Sequence, residues 1–196
     1  LFSKKNIILS SEIQKIKNKK SFILTFIGRP EKRKGFMFVM ELWEKFFIND
    51  KNMMLILCGT DIQISDYLKN PATNIINMGH TDKIPEVLSV SNCLLLPSMH
   101  EGLPYSILES MAMECPVIAN NIPSISSLIS NNNNGFLVEG HNHNSYFNKI
   151  NFIKKKSNFK SIKKITNNAL STAKKFDREK FLVGYNKKIQ SILNDI

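Results

Sequence analysis

The sequence has 196 residues, with 27 Lys and Arg against 16 Asp and Glu for a formal net charge of +11. That length supports one well-buried core, no run of about 18 apolar residues exists to cross a bilayer, and the N-terminus lacks the charged-then-apolar pattern of a secretory signal. The charge invites a polyanion-binding reading, but the flanks carry it: residues 1–20 hold six Lys and one Glu, residues 151–196 hold twelve basic and three acidic groups, and the middle is mildly acidic with nine basic and twelve acidic. Lys outnumbers Arg 24 to 3, whereas readers of nucleic acids lean on Arg for bidentate contacts, so a nucleic acid is not the expected partner. Cys58, Cys93 and Cys115 are odd in number, sit in or beside apolar runs and lack Cys-x-x-Cys spacing. They read as reduced, buried thiols of a cytoplasmic protein.

Residues 1–20 are polar and Lys-rich apart from Ile7, Ile8 and Leu9, and are expected to form a connecting segment. Residues 21–28 (SFILTFIG) read as a buried strand that ends in Gly28-Arg29-Pro30, followed by the basic turn Glu31-Lys32-Arg33-Lys34-Gly35. Two of the three Arg of the chain, Arg29 and Arg33, fall in this turn. Residues 36–49 place Phe36, Val39, Met40, Trp43 and Phe47 at helical spacing. A second buried strand is expected over 53–59, a helix over 61–69, a short strand over 74–78 with Gly79-His80-Thr81 as its exit, a short helix over 84–91 and a fourth strand over 92–96.

Pro97 and Gly102-Leu103-Pro104 then break the apolar run with turn chemistry. From Tyr105 onward, Ile107, Leu108, Met111 and Ala112 recur at helical spacing, with Pro104 where a helix start tolerates it. A strand feeding a turn and a helix is the place where parallel sheets bind ligands. Glu101 lies in the turn and Glu109 eight residues later in the helix, so both carboxylates can face one crevice at different depths. The free N–H groups of Gly102, Leu103 and Tyr105 at the helix start favour an anion by about 0.3–1 kcal/mol. Hydroxyl acceptors and an anion cradle together suit a sugar nucleotide.

A fifth strand is expected over 117–120, a polar surface turn over 131–134 and a strand over 135–138. His141 and His143 are two apart with no third ligand near, so no metal is expected there. From Ser145 to the end the pattern is helical, with Phe147, Ile150, Ile153, Phe159, Ile162, Ile165, Phe176, Phe181, Tyr185, Ile189 and Leu193 as the buried stripe and Lys outside. That basic face suits peripheral contact with an anionic membrane, at up to about 1 kcal/mol per Lys near the surface.

The run from His100 to Ala112 (HEGLPYSILESMA), followed by Pro116-Val117-Ile118-Ala119, resembles the signature of the family 4 glycosyltransferases, which have the two-domain GT-B fold. Gly28-Arg29 with Lys34-Gly35 is similar to that family's diphosphate loop, residues 55–59 to its second strand, 77–81 to its next turn and 135–138 to its later strand. The likeness runs in order over about residues 22–140. Two departures stand out: Glu114 occupies the place of a helix-ending glycine, which leaves the end without its preferred left-handed residue, and Ser127 occupies the place of a glutamate.

The resemblance implies a Rossmann-like α/β fold, a parallel sheet with helices on both faces and a helical C-terminal segment, with residues 1–20 linking from an N-terminal acceptor domain and 21–196 forming the donor domain. It further implies retaining transfer of a hexose or N-acetylhexosamine from a nucleoside diphosphate sugar, UDP foremost, to a glycan or lipid-linked acceptor, without a metal or other cofactor. Arg29 and Lys34, helped by the N–H groups of Gly102 and Leu103, would hold the diphosphate, and Glu109 the ribose. Glu101 would touch the donor sugar as the catalytic carboxylate, and His80, Thr81, Lys83 and Ile84 would line the base pocket. Neighbouring cations are expected to keep these carboxylates ionised. The reduced cysteines and the basic helical face together lead to the expectation of a cytoplasmic enzyme whose basic face offers a peripheral contact to the inner face of the membrane. Two rival readings are a nucleotide-binding module without catalysis and a basic domain that binds nucleic acid or another anionic surface.

Overall fold

Continuous apolar runs make strands that must be covered on both faces, and the chain supplies that cover between consecutive strands. The computed structural model describes residues 4–176. Strands β1 (Phe22–Ile27), β2 (Met53–Cys58), β3 (Ile75–Asn77), β4 (Cys93–Leu96), β5 (Val117–Asn120) and β6 (Phe136–Val138) form one sheet in the order β3-β2-β1-β4-β5-β6, parallel throughout. The helices are α1 (Ser11–Asn18), α2 (Phe36–Phe46), α3 (Ile84–Val90), α4 (Tyr105–Ala112), α5 (Pro123–Ser126), α6 (His143–Lys154) and α7 (Phe159–Ala173).

Alternation along the strands sorts the core into two faces. Leu24, Phe26, Leu55, Leu57, Leu95 and Ile118 pack with Phe36, Val39 and Trp43 of α2 and Tyr146 and Ile150 of α6. On the other face Leu94, Leu96, Val117 and Ala119 meet Ile107, Leu108 and Met111 of α4, while Ile23, Met54 and Ile56 meet Ile13 and Ile16 of α1 and Val87 of α3. The expected Rossmann-like sheet, with helices on both faces and a helical C-terminal segment, is therefore present.

Four local expectations change. The connecting segment contains α1, because Ile13 and Ile16 share one helical face and are buried against the sheet. The helix expected over 61–69 is a single 3-10 turn, Ile64–Tyr67, closed by an extended Leu68; nine residues without a side-chain cap cannot offset helix nucleation, and Ile62, Ile64, Tyr67 and Leu68 pack on the core as a loop. Glu114 takes the left-handed conformation itself (φ 53°), so the end of α4 keeps the turn that glycine would make, and its carboxylate meets Lys163 at 2.6 Å. The C-terminal helix breaks at an extended Lys155 into α6 and α7. Phe159 is 70% exposed there and Phe176 is exposed too, so neither joins the buried stripe. Phe181, Tyr185, Ile189 and Leu193 lie outside the described residues.

One close approach ties the two halves of the sheet together. Gly35 has φ 72°, and a Cβ on it would sit 2.4 Å from the carbonyl oxygen of Pro97. Gly79 is also left-handed (φ 57°), but its Cβ would meet nothing nearer than 3.9 Å. Gly79→Ala is therefore expected to cost only the left-handed strain, about 1–2 kcal/mol, and Gly35→Ala about 2–5 kcal/mol because the clash adds to it. Urea denaturation of the two variants, side by side, measures the difference.

Candidate functional site

The strand order reverses direction between β1 and β4, so the turns that follow these strands diverge around a crevice at the carboxyl end of the sheet. Three contacts stitch the two turns. Gly35 packs on Pro97. The N–H of Met99 donates to the Arg33 carbonyl at 2.7 Å. Lys34 Nζ donates to both oxygens of Glu101, at 2.8 and 2.9 Å, with the two side chains only 20% and 8% exposed. The structure thus joins two expected site residues that stand 67 positions apart.

The remaining basic groups of the first turn look elsewhere. Arg29 Nε lies 2.9 Å from one oxygen of Glu31 and Arg33 Nε 2.7 Å from the other, and Arg29 is largely exposed. Gly102 and Leu103 are exposed immediately before α4, whose first turn has no side-chain cap. Its leading N–H groups are left for solvent or a ligand.

Glu109 lies on α4, half-buried, with no side-chain hydrogen bond or ion pair among the described residues. Burial pushes its carboxyl above the ordinary value of 4.5. The expectation that nearby cations favour its charge is overturned at this residue, because Lys34 is held by Glu101 and both arginines by Glu31.

At the exit of β3, His80, Thr81 and Lys83 line an open cavity of about 650 Å³ with Glu12 and Met78. His80 is exposed. Thr81 Oγ1 accepts from the Lys83 N–H at 3.1 Å, and Lys83 Nζ is paired with Glu12 of α1 at 3.0 Å. Ile84 does not line that cavity; it packs at the border of the core clusters behind α3.

Sequence reasoning missed the polar group beneath the second turn. Asn120, fully buried at the end of β5, donates from Nδ2 to the carbonyls of Pro97 (3.0 Å) and Ser98 (3.3 Å). Its Oδ1 accepts from the Tyr146 hydroxyl at 3.0 Å. His141 Nε2 lies 2.7 Å from the Pro97 oxygen; a carbonyl can only accept, so Nε2 carries the proton. Burial raises the Tyr146 phenol well above its ordinary range and keeps it a neutral donor. The available signals were an amide at the carboxyl end of a buried strand and a tyrosine one helical turn before Ile150.

His141 and His143 serve packing: each ring stacks against Phe38, at centroid distances of 4.6 and 4.4 Å. Among the described residues no group of three or more His, Cys, Asp or Glu is placed to hold a metal ion, and no helix is long and apolar enough to cross a membrane. All three cysteines are free and buried.

The family model for glycosyl transferases group 1 matches residues 10–172. Among curated proteins, the chain is 28% identical over 139 residues to a UDP-Gal:alpha-D-GlcNAc-diphosphoundecaprenol alpha-1,3-galactosyltransferase of Escherichia coli, covering 66% of this chain and 36% of that protein. The HepE protein of Anabaena, solved in complex with UDP-glucose, superposes with a TM-score of 0.76 at 20% identity, over 100% of this chain and 56% of that one. The C-terminal domain of a group 1 glycosyl transferase from Francisella tularensis superposes with a TM-score of 0.70 at 20% identity, over 89% of this chain and 97% of that one. The chain therefore spans about a third of its curated relative and matches a C-terminal domain over nearly its full length.

Glu109 makes a pH signature. Its carboxyl binds a proton more tightly in the folded chain than in the unfolded one, so the stability penalty is absent below the ordinary value of 4.5 and grows as pH rises through the raised folded value. Glu109→Gln is expected to melt about 1–3 °C above the wild type at pH 7. The gap should close as the pH falls below about 4, measured by calorimetric melting across that range.

Proposed function

The chain belongs to the glycosyl transferases group 1 family, and we propose that it is the donor-binding half of a two-domain, retaining family 4 glycosyltransferase. In this reading the enzyme moves a hexose or N-acetylhexosamine from a nucleoside diphosphate sugar, UDP foremost, to a glycan or lipid-linked acceptor held by an N-terminal half. The observation that carries it is the Lys34–Glu101 pair across the switch-point crevice, beside the uncapped start of α4 and an unpartnered Glu109. The UDP-sugar named for the Escherichia coli relative and the UDP-glucose bound by the Anabaena protein support the carrier, and the relative's lipid diphosphate acceptor supports the acceptor class.

The roles follow from chemistry. Transfer leaves a diphosphate behind, and its developing charge must be met by fixed donors. Lys34, the N–H groups of Gly102 and Leu103, and Arg29 once it leaves Glu31 supply them without a metal or other cofactor. Glu101, gripped on both oxygens by Lys34, acts near the reacting carbon as a positioner of the donor sugar more readily than as a nucleophile. Glu109 accepts from the ribose hydroxyls, which gives its half-buried carboxylate the partners it lacks. In the same reading the base is assigned to the exit of β3, with His80, Thr81 and Lys83 at the surface and Ile84 packed behind them.

Calorimetric titration of the chain with UDP, GDP and ADP in moderate salt tests this. UDP is expected to bind selectively, and Arg29→Ala and Glu109→Gln each to weaken it about tenfold, as loss of a charge-assisted hydrogen bond implies. Unchanged affinity in Glu109→Gln would remove it from the ribose site. Binding by none of the three nucleotides overturns the donor reading.

A second reading concerns the opposite end of the sheet. Residues 140–176 contain nine Lys and no Asp or Glu. Lys154, Lys155, Lys156 and Lys163 surround a cavity of about 440 Å³ there, with the exposed ring of Phe159 in its wall. We propose that this end rests on the anionic inner face of the cytoplasmic membrane. Sedimentation with vesicles of about one-third phosphatidylglycerol, but not with pure phosphatidylcholine, is the expected result, and Lys155→Glu with Lys156→Glu should abolish it. Equal retention by both vesicle types rules the contact out.

A further inference from the structure

We infer that Tyr146, Asn120 and His141 are positioning residues for the donor crevice, an inference that rests on the reading of that crevice as the nucleotide-sugar site. Tyr146 and Asn120 are too buried to touch a ligand through the crevice floor, at 0% and 1% exposed, and His141, though exposed, commits its Nε2 to a carbonyl. They act through the turn that carries Glu101.

That turn leaves the sheet at Leu96, where strand pairing stops, so the carbonyls of Pro97 and Ser98 have no ladder partner. A buried carbonyl without a donor is costly, and the chain must find one. Asn120 Nδ2 supplies both, and also lies 3.6 Å from the Met99 sulfur. His141 takes the second lone pair of Pro97.

An asparagine side chain can present its oxygen and nitrogen either way round. The acceptor-only carbonyls of Pro97 and Ser98 settle that choice by requiring Nδ2, and the Tyr146 hydroxyl holds the far end of the amide by donating to Oδ1. With the amide locked, its N–H groups can only face the turn. Phe38 braces both outer members, stacked on His141 and edge-on to Tyr146 at 4.9 Å. The first turn of α6 is itself held by Asn142, whose side chain accepts from the Ser145 N–H at 2.9 Å.

The consequence travels one step further. With Pro97 and Ser98 fixed, Gly35 seats on the Pro97 carbonyl and Met99 reaches the Arg33 carbonyl. Glu101 then falls within reach of both its bonds to Lys34, and the N–H groups of Gly102 and Leu103 keep their aim. Losing the Tyr146 hydroxyl leaves the buried Asn120 oxygen without its donor, so the amide shifts from its seat and loosens the carboxylate and the anion cradle together, and displacements of this size carry large functional costs.

The test compares Tyr146→Phe with Ile150→Val in the whole 196-residue chain. Ile150 is buried one turn further along the same helix and packs in the same cluster, so its shortened side chain lowers the melting temperature without touching the network. UDP affinity is expected to fall about tenfold in Tyr146→Phe and to stay within about twofold in Ile150→Val. In nitrogen-15 amide spectra recorded without nucleotide, residues 98–103 should shift in Tyr146→Phe alone. Exposed His141 tolerates change, so His141→Ala should show the same selective loss and His141→Gln, which keeps an N–H donor, should recover most of it. Affinity and turn resonances unchanged in Tyr146→Phe, or lost equally in Ile150→Val, overturn the inference. A wild type that ignores UDP counts against the donor reading itself, and the ligand-free spectra then still decide whether Tyr146 sets the turn.

Discussion

The carbonyl of Pro97 is the point at which this molecule is held together. It sits where β4 gives out, deep between neighbouring strand ends, and four segments meet on it: Gly35 after β1, Asn120 closing β5, His141 after β6 and the turn that Pro97 itself begins. Each contact has a different physical basis. Gly35 is there because no side chain fits, Asn120 and His141 because a buried acceptor must be satisfied. A proline contributes no N–H of its own, so the strand ends without a donor for the next residue's ladder and the turn is free to leave the sheet. The constraint is mutual, since moving any one of the four segments exposes the same oxygen.

Electrostatics at the crevice follows from which charges that constraint allows to meet. Bringing the 28–35 and 97–104 turns together puts Lys34 against Glu101, whereas Arg29 and Arg33 are short-circuited within their own turn by Glu31. Arg29, Lys32, Arg33 and Lys34 meet only the two carboxylates Glu31 and Glu101, so the turn is partly neutralised and stays net basic before any ligand arrives. Glu109 is the exception, a carboxylate left half-buried with nothing to answer it among the described residues. Proteins tolerate such a group at a cost in stability where function needs it.

Much of the fold was legible because it is written in local patterns. The apolar runs ending at Gly28, Gly59 and Leu96 are strands, the Phe36 and Tyr105 segments are helices, and a turn with two carboxylates lies at the end of β4. What was not legible depended on partners distant in sequence. Nothing in Lys34 announces Glu101, and the local run Arg29 to Lys34 looks like one uniform basic patch although its members have different partners. Helical spacing marked Phe159 as core, but the break at Lys155 swung it outward. His141 and His143 were weighed only as metal ligands, when Phe38, a hundred residues earlier, gives their rings a surface to stack on. Glu114 shows a further limit: a non-glycine residue adopts the left-handed turn when the surrounding helix end demands it, so a missing glycine in a sequence pattern does not by itself remove the turn.

The distribution of exposed apolar side chains bears on how such a domain is used. Met99 and Leu103 belong to the turn after β4, and Tyr105, 68% exposed, begins α4. These three belong to the turn and helix start that border the crevice at the carboxyl end of the sheet. Scattered apolar groups on a surface need no explanation, but a set gathered around one concavity does. A bare nucleotide site would call for polar rims, because a diphosphate and two sugar rings are strongly hydrated. Apolar rims around a polar floor fit a crevice that closes against a second surface, which expels water from the diphosphate and strengthens every charge acting on it. In the proposed two-domain reading an N-terminal half would supply such a surface, and the same rim would both seal the donor and meet the second half.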